Sequence, residues 1–283
     1  MSLLKVENLR VEFELTSKGL WHAAEKLVAV NDVSLNLDAG ETLGIVGESG
    51  SGKSTLARSI VGMQPCSAGR IIFDGADVTH LSATDWQKLR RQVQMVFQDP
   101  LASLNPRMTI GENIAEPLIN LFPEYDAQER WRRVLAVMPR VGLEAAWVNR
   151  YPHEFSGGQC QRAGIARAIV VEPRMLICDE AVSALDVTIQ AQIIALLKDL
   201  QCELNLAMLF IAHDLAVVKD ISQRVLVMYR GEVMEQSETQ ALFANPQHAY
   251  TRALLAAVPV PDPALERQRR KERLALAESL GGS

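Results

Sequence analysis

Hydrophobic and polar positions change period several times along the chain, and each change marks an element. Val6, Leu9, Val11 and Phe13 begin a strand-like alternation, repeated by Val33, Leu35 and Leu37 before the Ala39-Gly40 turn. These predict hairpin-type strands covering one side of a core. Thr42-Leu43-Gly44-Ile45-Val46 is short, apolar and flanked by glycine, the pattern of a buried parallel strand. The next run, Leu56 to Val61, continues at helical spacing. Gly69 to Gly75 predicts a short strand ending in a turn, and Trp86 to Arg91 a basic helical segment. Gln92 to Phe97 alternates as a strand, which Gln98-Asp99-Pro100 breaks. From Ile110 to Val148 strand signals vanish, predicting a mostly helical insertion between two sheet strands, with breaks at Pro106, Pro117, Pro123 and Pro139. Ala163 to Val170 reads as a helix and Met175 to Cys178 as an apolar strand. Ile189, Ile193, Leu196, Leu197 and Leu200 form a core-facing helical stripe, and Ala207 to Ile211 another buried strand. A short helix and the strands Arg224 to Tyr229 and Glu232 to Glu235 complete the pattern. Trp21 and His22 fall in a polar stretch read as a long loop.

Composition narrows this picture without naming a chemistry. The 283 residues allow one large or two modest domains, and 48% hydrophobic content with a net charge of −5 fits an ordinary soluble globular protein. Nothing in that balance points to a nucleic-acid partner. Cys66, Cys160, Cys178 and Cys202 lie far apart, with no CxxC spacing or nearby His pair. A disulfide framework or cysteine metal site is not expected, and a reducing cytoplasm is the simplest compartment. Met1-Ser2-Leu3-Leu4-Lys5 lacks the apolar stretch of a signal peptide, and no apolar run reaches the roughly 18 residues that span a bilayer. Any membrane role is expected to come through a partner.

Chemistry enters with Gly47-Glu48-Ser49-Gly50-Ser51-Gly52-Lys53-Ser54-Thr55, which matches G-x-x-x-x-G-K-[ST] between a predicted strand and a predicted helix. Its glycines let backbone N–H groups turn inward on phosphate oxygens, the helix N-terminus adds partial positive charge, and Lys53 adds a full one. Ser54 can offer its hydroxyl to Mg²⁺. Asp179, at a strand tip beside this loop, is the expected second holder of Mg²⁺, and Glu180 is placed to polarise an attacking water. Gln98 and His213 occupy carboxyl ends of strands, where ligands bind in open α/β sheets. Gln98 reads either as a solvated turn residue or as a reach toward metal or water. Ser156 is a natural N-cap before Gly157-Gly158-Gln159, and either caps a helix or presents a second phosphate-binding terminus. Phe13 is either a core aromatic or a platform for an adenine ring. Cys160 lies within the first helical turn after Ser156, where N-termini stabilise thiolates; a reactive thiol at an interface is expected there, against burial in the helical insertion. The tail from Pro259 carries Arg267, Arg269, Arg270, Lys271 and Arg273, as a solvated helix or a contact for anionic lipid.

In order, the phosphate loop, Gln98, Ser156-Gly157-Gly158-Gln159, Asp179-Glu180, Ser183-Ala184-Leu185-Asp186 and His213 resemble the nucleotide-binding subunit of an ABC transporter, from Leu3 to about Glu235. The Ser-Gly-Gly-Gln element is the specific part, because generic phosphate-loop proteins lack it. The resemblance implies an α/β P-loop NTPase with a RecA-like core, an antiparallel β subdomain and a helical signature subdomain. It implies an ATPase domain over residues 1–255, with the helical subdomain at about 99–170 and a tail at 256–283. ATP and Mg²⁺ are the implied ligands. Phe13 would stack on adenine, Gln98 would link Mg²⁺ to the permease docking surface, and Glu180 would be the general base. His213 would contact the γ-phosphate, Asp186 would link across a dimer, and Ser156 of a facing subunit would close over the γ-phosphate. Val96 to Pro106 and Asn245 to Leu255 are similar to the dipeptide, oligopeptide and nickel importer ATPases. That likeness implies a second homologous ATPase subunit, two permeases, a solute-binding protein and a place on the cytoplasmic face of the membrane. Ala181 departs from that family's usual Pro, Cys160 from its usual basic residue, and no cysteine follows Cys202, which argues against an iron–sulfur cluster. An exporter ATPase is the nearer rival. Soluble ABC-type proteins of DNA repair or translation fit less well, because this chain has one cassette and only a modest helical insertion.

Overall fold

The computed structural model describes residues 2–14 and 26–257. The loop reading of Trp21 and His22 and the basic run from Arg267 to Arg273 lie outside the described residues.

Two long antiparallel strands, β1 (Ser2–Glu14) and β2 (Lys26–Asp38), open the chain. The inward positions of their alternation are realised: Leu4, Leu9, Val11, Val30, Val33 and Leu37 are fully buried. β3 (Thr42–Val46) follows, buried at every position, and leads through the glycine-rich loop into α1 (Lys53–Ile60). β4 (Ala68–Phe73) and β5 (Ala76–Asp77) complete an antiparallel sheet of order β2-β1-β4-β5. α2 (Ala83–Arg90) then precedes β6 (Val93–Val96).

The helical insertion contains α3 (Ile110–Leu121), α4 (Ala127–Arg140) and α5 (Gly157–Ile169). Past it, β7 (Met175–Asp179), α6 (Val187–Leu204), β8 (Ala207–Ile211), α7 (Leu215–Ile221) and β9 (Arg224–Tyr229) restore the alternation of strand and helix. β10 (Glu232–Glu238), α8 (Thr239–Ala244) and α9 (Ala249–Ala256) follow. The second sheet has order β10-β9-β3-β8-β7-β6 and is parallel except for β10. β3 lies beside β8 although far from it in sequence, so the phosphate loop and the ends of β6, β7 and β8 share one sheet edge. The architecture is the expected α/β core with an antiparallel β layer and a helical subdomain.

Two expectations are corrected. Pro117 and Pro139 do not break the insertion; they lie inside α3 and α4. A proline within a helix costs about 3 kcal/mol. α3 offsets that by burying Ile110, Ile114 and Leu118 completely, at roughly 2 kcal/mol each. β10 runs on to Glu238, past the expected end at Glu235, because its ladder with β9 continues to Glu238↔Arg224.

Candidate functional site

The glycine-rich loop curls tightly enough to turn Lys53 back on it. Lys53 Nζ donates to the carbonyls of Gly47 and Glu48, both at 2.8 Å, and to Ser51 Oγ at 3.3 Å. Gly52 has a φ of +99°, and a Cβ there would strike the Ala29 carbonyl of β2, so the turn requires glycine. Lys53 is only 3% exposed. Burial holds its ammonium below the ordinary lysine value, while Glu180, Asp179 and Glu48 pull the other way. A buried cation bonded to neutral oxygens at the head of a helix is a receptor for an anion, and the loop's backbone donors fit a polyphosphate.

Ser54, the second residue of the same helix, donates its hydroxyl to Asp179 Oδ1 at 2.8 Å. Asp179 is buried at the tip of β7, and burial raises its carboxyl above the usual carboxylate range, against the Ser54 hydrogen bond that lowers it. Gln98 is exposed beyond β6 and lines, with Asp179 and Arg58, a cleft of ≈ 1120 Å³ between the sheet and the helical insertion. A hydroxyl, an amide and one carboxylate are hard oxygen donors, the set that suits Mg²⁺ shared with phosphates.

Glu180 follows Asp179 with a φ of +51°, a left-handed conformation uncommon for a residue with a side chain. The turn holds it there: its N–H donates to the Ile211 carbonyl, and its carbonyl accepts from Ser183 N–H and Ser183 Oγ. The kink turns the carboxylate toward β8, where Glu180 Oε1 lies 2.5 Å from His213 Nε2. Glu180 is buried and His213 is 43% exposed, so the imidazole stands between the carboxylate and solvent. The structure therefore brings together the loop, Gln98, Asp179, Glu180 and His213.

Ser156, Gly157, Gly158, Gln159 and Asp186 form a second group. Ser156 Oγ accepts from Gln159 N–H at 3.3 Å and Gln159 Oε1 accepts from Ser156 N–H at 2.9 Å, a reciprocal cap that sets the start of α5. Ser156 and Gly157 are exposed, and among the described residues Ser156 and Gln159 bond each other's backbone N–H and not the phosphate loop. A Cβ on Gly158 would lie 2.6 Å from Ile189 Cγ2, so glycine lets α5 pack against the start of α6. Asp186 caps α6, with Oδ1 accepting from Ile189 N–H at 3.0 Å. Phe13 stands at the far end of β1 opposite Leu27, half-buried against the strand-side core.

The reactive Cys160 is a correction. Its side chain is fully buried, Sγ faces the Pro152 carbonyl, and burial raises the thiol's pKa. The fourth residue of α5 points into the helical core, and loss of hydration there outweighs the helix terminus. Two side chains at the site went unread in the sequence: Arg58, in the cleft, and Tyr250 of α9, whose hydroxyl meets the Glu48 N–H. Helical spacing placed Arg58 on α1 without its direction, and no local pattern ties α9 to a loop two hundred residues earlier.

Fold and site define a phosphate-loop nucleotide hydrolase of the α/β class. Residues 30–183 match the ABC transporter family, and residues 234–282 match the oligopeptide/dipeptide transporter C-terminal region. The chain belongs to the ABC transporter family and is an ATP-binding ATPase of that family. It is 53% identical over 274 residues to the oligopeptide transport ATP-binding protein OppF of Salmonella typhimurium, covering 96% of this chain and 82% of that one. Identity to OppF of Haemophilus influenzae is 57% over 274 residues, with the same coverage. It is 52% identical to the glutathione import ATP-binding protein GsiA of Escherichia coli, over 98% of this chain but 44% of that protein. Among solved structures it is similar to the ATP-binding cassette MJ0796 bound to ADP and Pi, in a dimeric post-hydrolysis state. The TM-score is 0.73 at 31% identity, covering 83% of this chain and 98% of that one. Among the described residues no helix is long and apolar enough to cross a membrane.

Proposed function

We propose that the chain is one of two ATPase subunits driving an importer of peptides or related small solutes, held to the cytoplasmic face of the membrane by two permeases. The observation that carries this reading is identity of 53–57% to OppF over nearly the whole chain, including a C-terminal region of peptide-transporter type. An exporter remains the alternative class, and that C-terminal match weighs against it. The ATPase unit is taken as residues 1–255, with helical insertion 99–170 and a tail from 256.

The two groupings support the residue roles, and the Phe13 role rests on the family resemblance. Gly47 to Thr55 binds the phosphates of ATP, Lys53 neutralises the terminal ones, and Phe13 stacks on adenine. Ser54, Asp179 and Gln98 would hold Mg²⁺, which when bound neutralises phosphate charge. Glu180 accepts the proton of the attacking water, and His213 turns from Glu180 to contact the γ-phosphate. Ser156 to Gln159 and Asp186 stand apart from their own loop on an exposed face, as a site completed by a facing subunit requires. There the serine and the α5 N-terminus give donors to the γ-phosphate of the partner's ATP. The cleft beside Gln98 and Arg58 receives the permease, and the extracytoplasmic binding protein acts through that permease.

Glu180→Gln tests the mechanism and the transport reading together. In proteoliposomes containing the assembled transporter, the variant should still bind ATP but lose about a hundredfold or more in turnover. Peptide uptake should stop in parallel. Normal hydrolysis would remove Glu180 as the base. ATPase loss with peptide uptake intact would remove this chain as the motor.

A further inference from the structure

The last helix among the described residues reaches back to the phosphate loop. Tyr250, in the first turn of α9, accepts a hydrogen bond from the Glu48 N–H at 3.3 Å. Its ring packs on Tyr229 of β9 with centroids 4.4 Å apart, and Arg230 lies 5.1 Å over the other aromatic. The helix is anchored independently of the loop. Glu235 of β10 accepts from the N–H groups of Gln247 and His248, both at 2.9 Å, which fixes the entry to α9. The β9–β10 turn grips the loop from below, since Gly231 N–H donates to the Ser51 carbonyl at 3.0 Å. The carbonyl of Glu48 is one of the two that hold Lys53 Nζ. One peptide unit thus separates the hydroxyl's hold on Glu48 from the ammonium that meets phosphate.

We propose that Tyr250 is a positioning residue for the phosphate loop, through which α9 sets the affinity for ATP. Resting on ATP binding at Gly47 to Thr55, it gives a role to a residue of the Asn245 to Leu255 run that hydrogen-bonds that loop. Tyr250 is half-buried, and burial together with the Glu48 carboxylate keeps its phenol above the ordinary value, so the hydroxyl stays protonated at neutral pH. The hydrogen bond fixes the backbone at the second loop residue. Without it, ATP must order that segment on binding.

Tyr250→Phe removes the hydroxyl and leaves the ring on Tyr229. Titrating the full chain with mant-ATP and Mg²⁺, the variant should bind roughly fivefold more weakly, the loss of one neutral hydrogen bond. Its thermal midpoint without nucleotide should match the parent, and in ATPase assays KM should rise while kcat holds. A lowered midpoint with unchanged affinity would mean Tyr250 is only packing, and unchanged affinity at an unchanged midpoint would equally overturn the proposal. Lys53→Ala, run in parallel, separates the two readings. Lost binding there with none lost in Tyr250→Phe overturns the positioning role alone. Retained binding in Lys53→Ala overturns the loop assignment and the proposal with it.

Discussion

At the scale of single residues, the site buries two ionisable groups with few partners to compensate them. Lys53 is a buried cation with neutral partners, and Asp179 is a buried carboxyl whose nearest donor is one serine hydroxyl. Burial raises the Asp179 pKa, so the folded chain binds this proton more tightly than the unfolded chain does. Stability from this group is therefore greatest at acidic pH and falls as pH rises from the ordinary carboxylate value through the raised one. Asp179→Asn removes the buried charge but keeps an oxygen to accept from Ser54. Without nucleotide or metal at neutral pH, the variant should melt above the parent, and the gap should close on acidification. It should also lose the Mg²⁺ dependence of ATP binding. A variant melting below the parent across that range would show that burial of the carboxylate is not destabilising.

Among the elements, α5 has two tasks that one residue serves. Ser156 caps the helix through Gln159 N–H and is exposed, so in the proposed function its hydroxyl would meet the nucleotide of a facing subunit. Ser156→Ala should cost about 1 kcal/mol of stability and the ATPase together. Ser156→Asn caps about as well as serine, so thermal denaturation should show near-parent stability while steady-state ATPase of the assembled transporter falls. If Ser156→Asn kept full activity, capping alone would explain the residue. α3 shows the same division from the packing side. It carries Pro117 because Ile110, Ile114 and Leu118 bury more than the proline costs, and one of its faces lines the cleft.

For the whole molecule, sheet order matters more than any element. β3, β7 and β8 are neighbours, so the phosphate loop, Asp179, Glu180 and His213 meet at one edge, while Ser156 and Gly157 at the start of α5 are exposed, as is Asp186. The cleft between sheet and insertion is open at Ala102, which is exposed. Ala102→Arg places a long charged side chain in that cleft without disturbing the core. It should leave mant-ATP binding by the isolated chain unchanged and reduce co-purification with the permeases. Full co-purification would place the permease elsewhere.

Local rules were enough to determine much of this protein from its sequence. The phosphate loop, its flanking strand and helix, the Ser156 cap and the buried strand ending at Asp179 all rest on neighbours within a few residues. The antiparallel layer and the helical insertion were legible because hydrophobic period is a local property. Tertiary structure alone decided the rest. That His213 meets Glu180 depends on β8 lying beside β7, and on a left-handed turn that Glu180's own preferences oppose. Cys160 is buried because its side of α5 faces a core built by α3 and α4, although a thiol in a first helical turn reads as reactive. Pro117 stays in a helix because the burial energy of distant partners exceeds a local penalty. Tyr250 reaches Glu48 because β9 and β10 carry α9 to the loop. In each case the deciding term is desolvation or contact between segments far apart in the chain, and such terms exist only once the chain has folded.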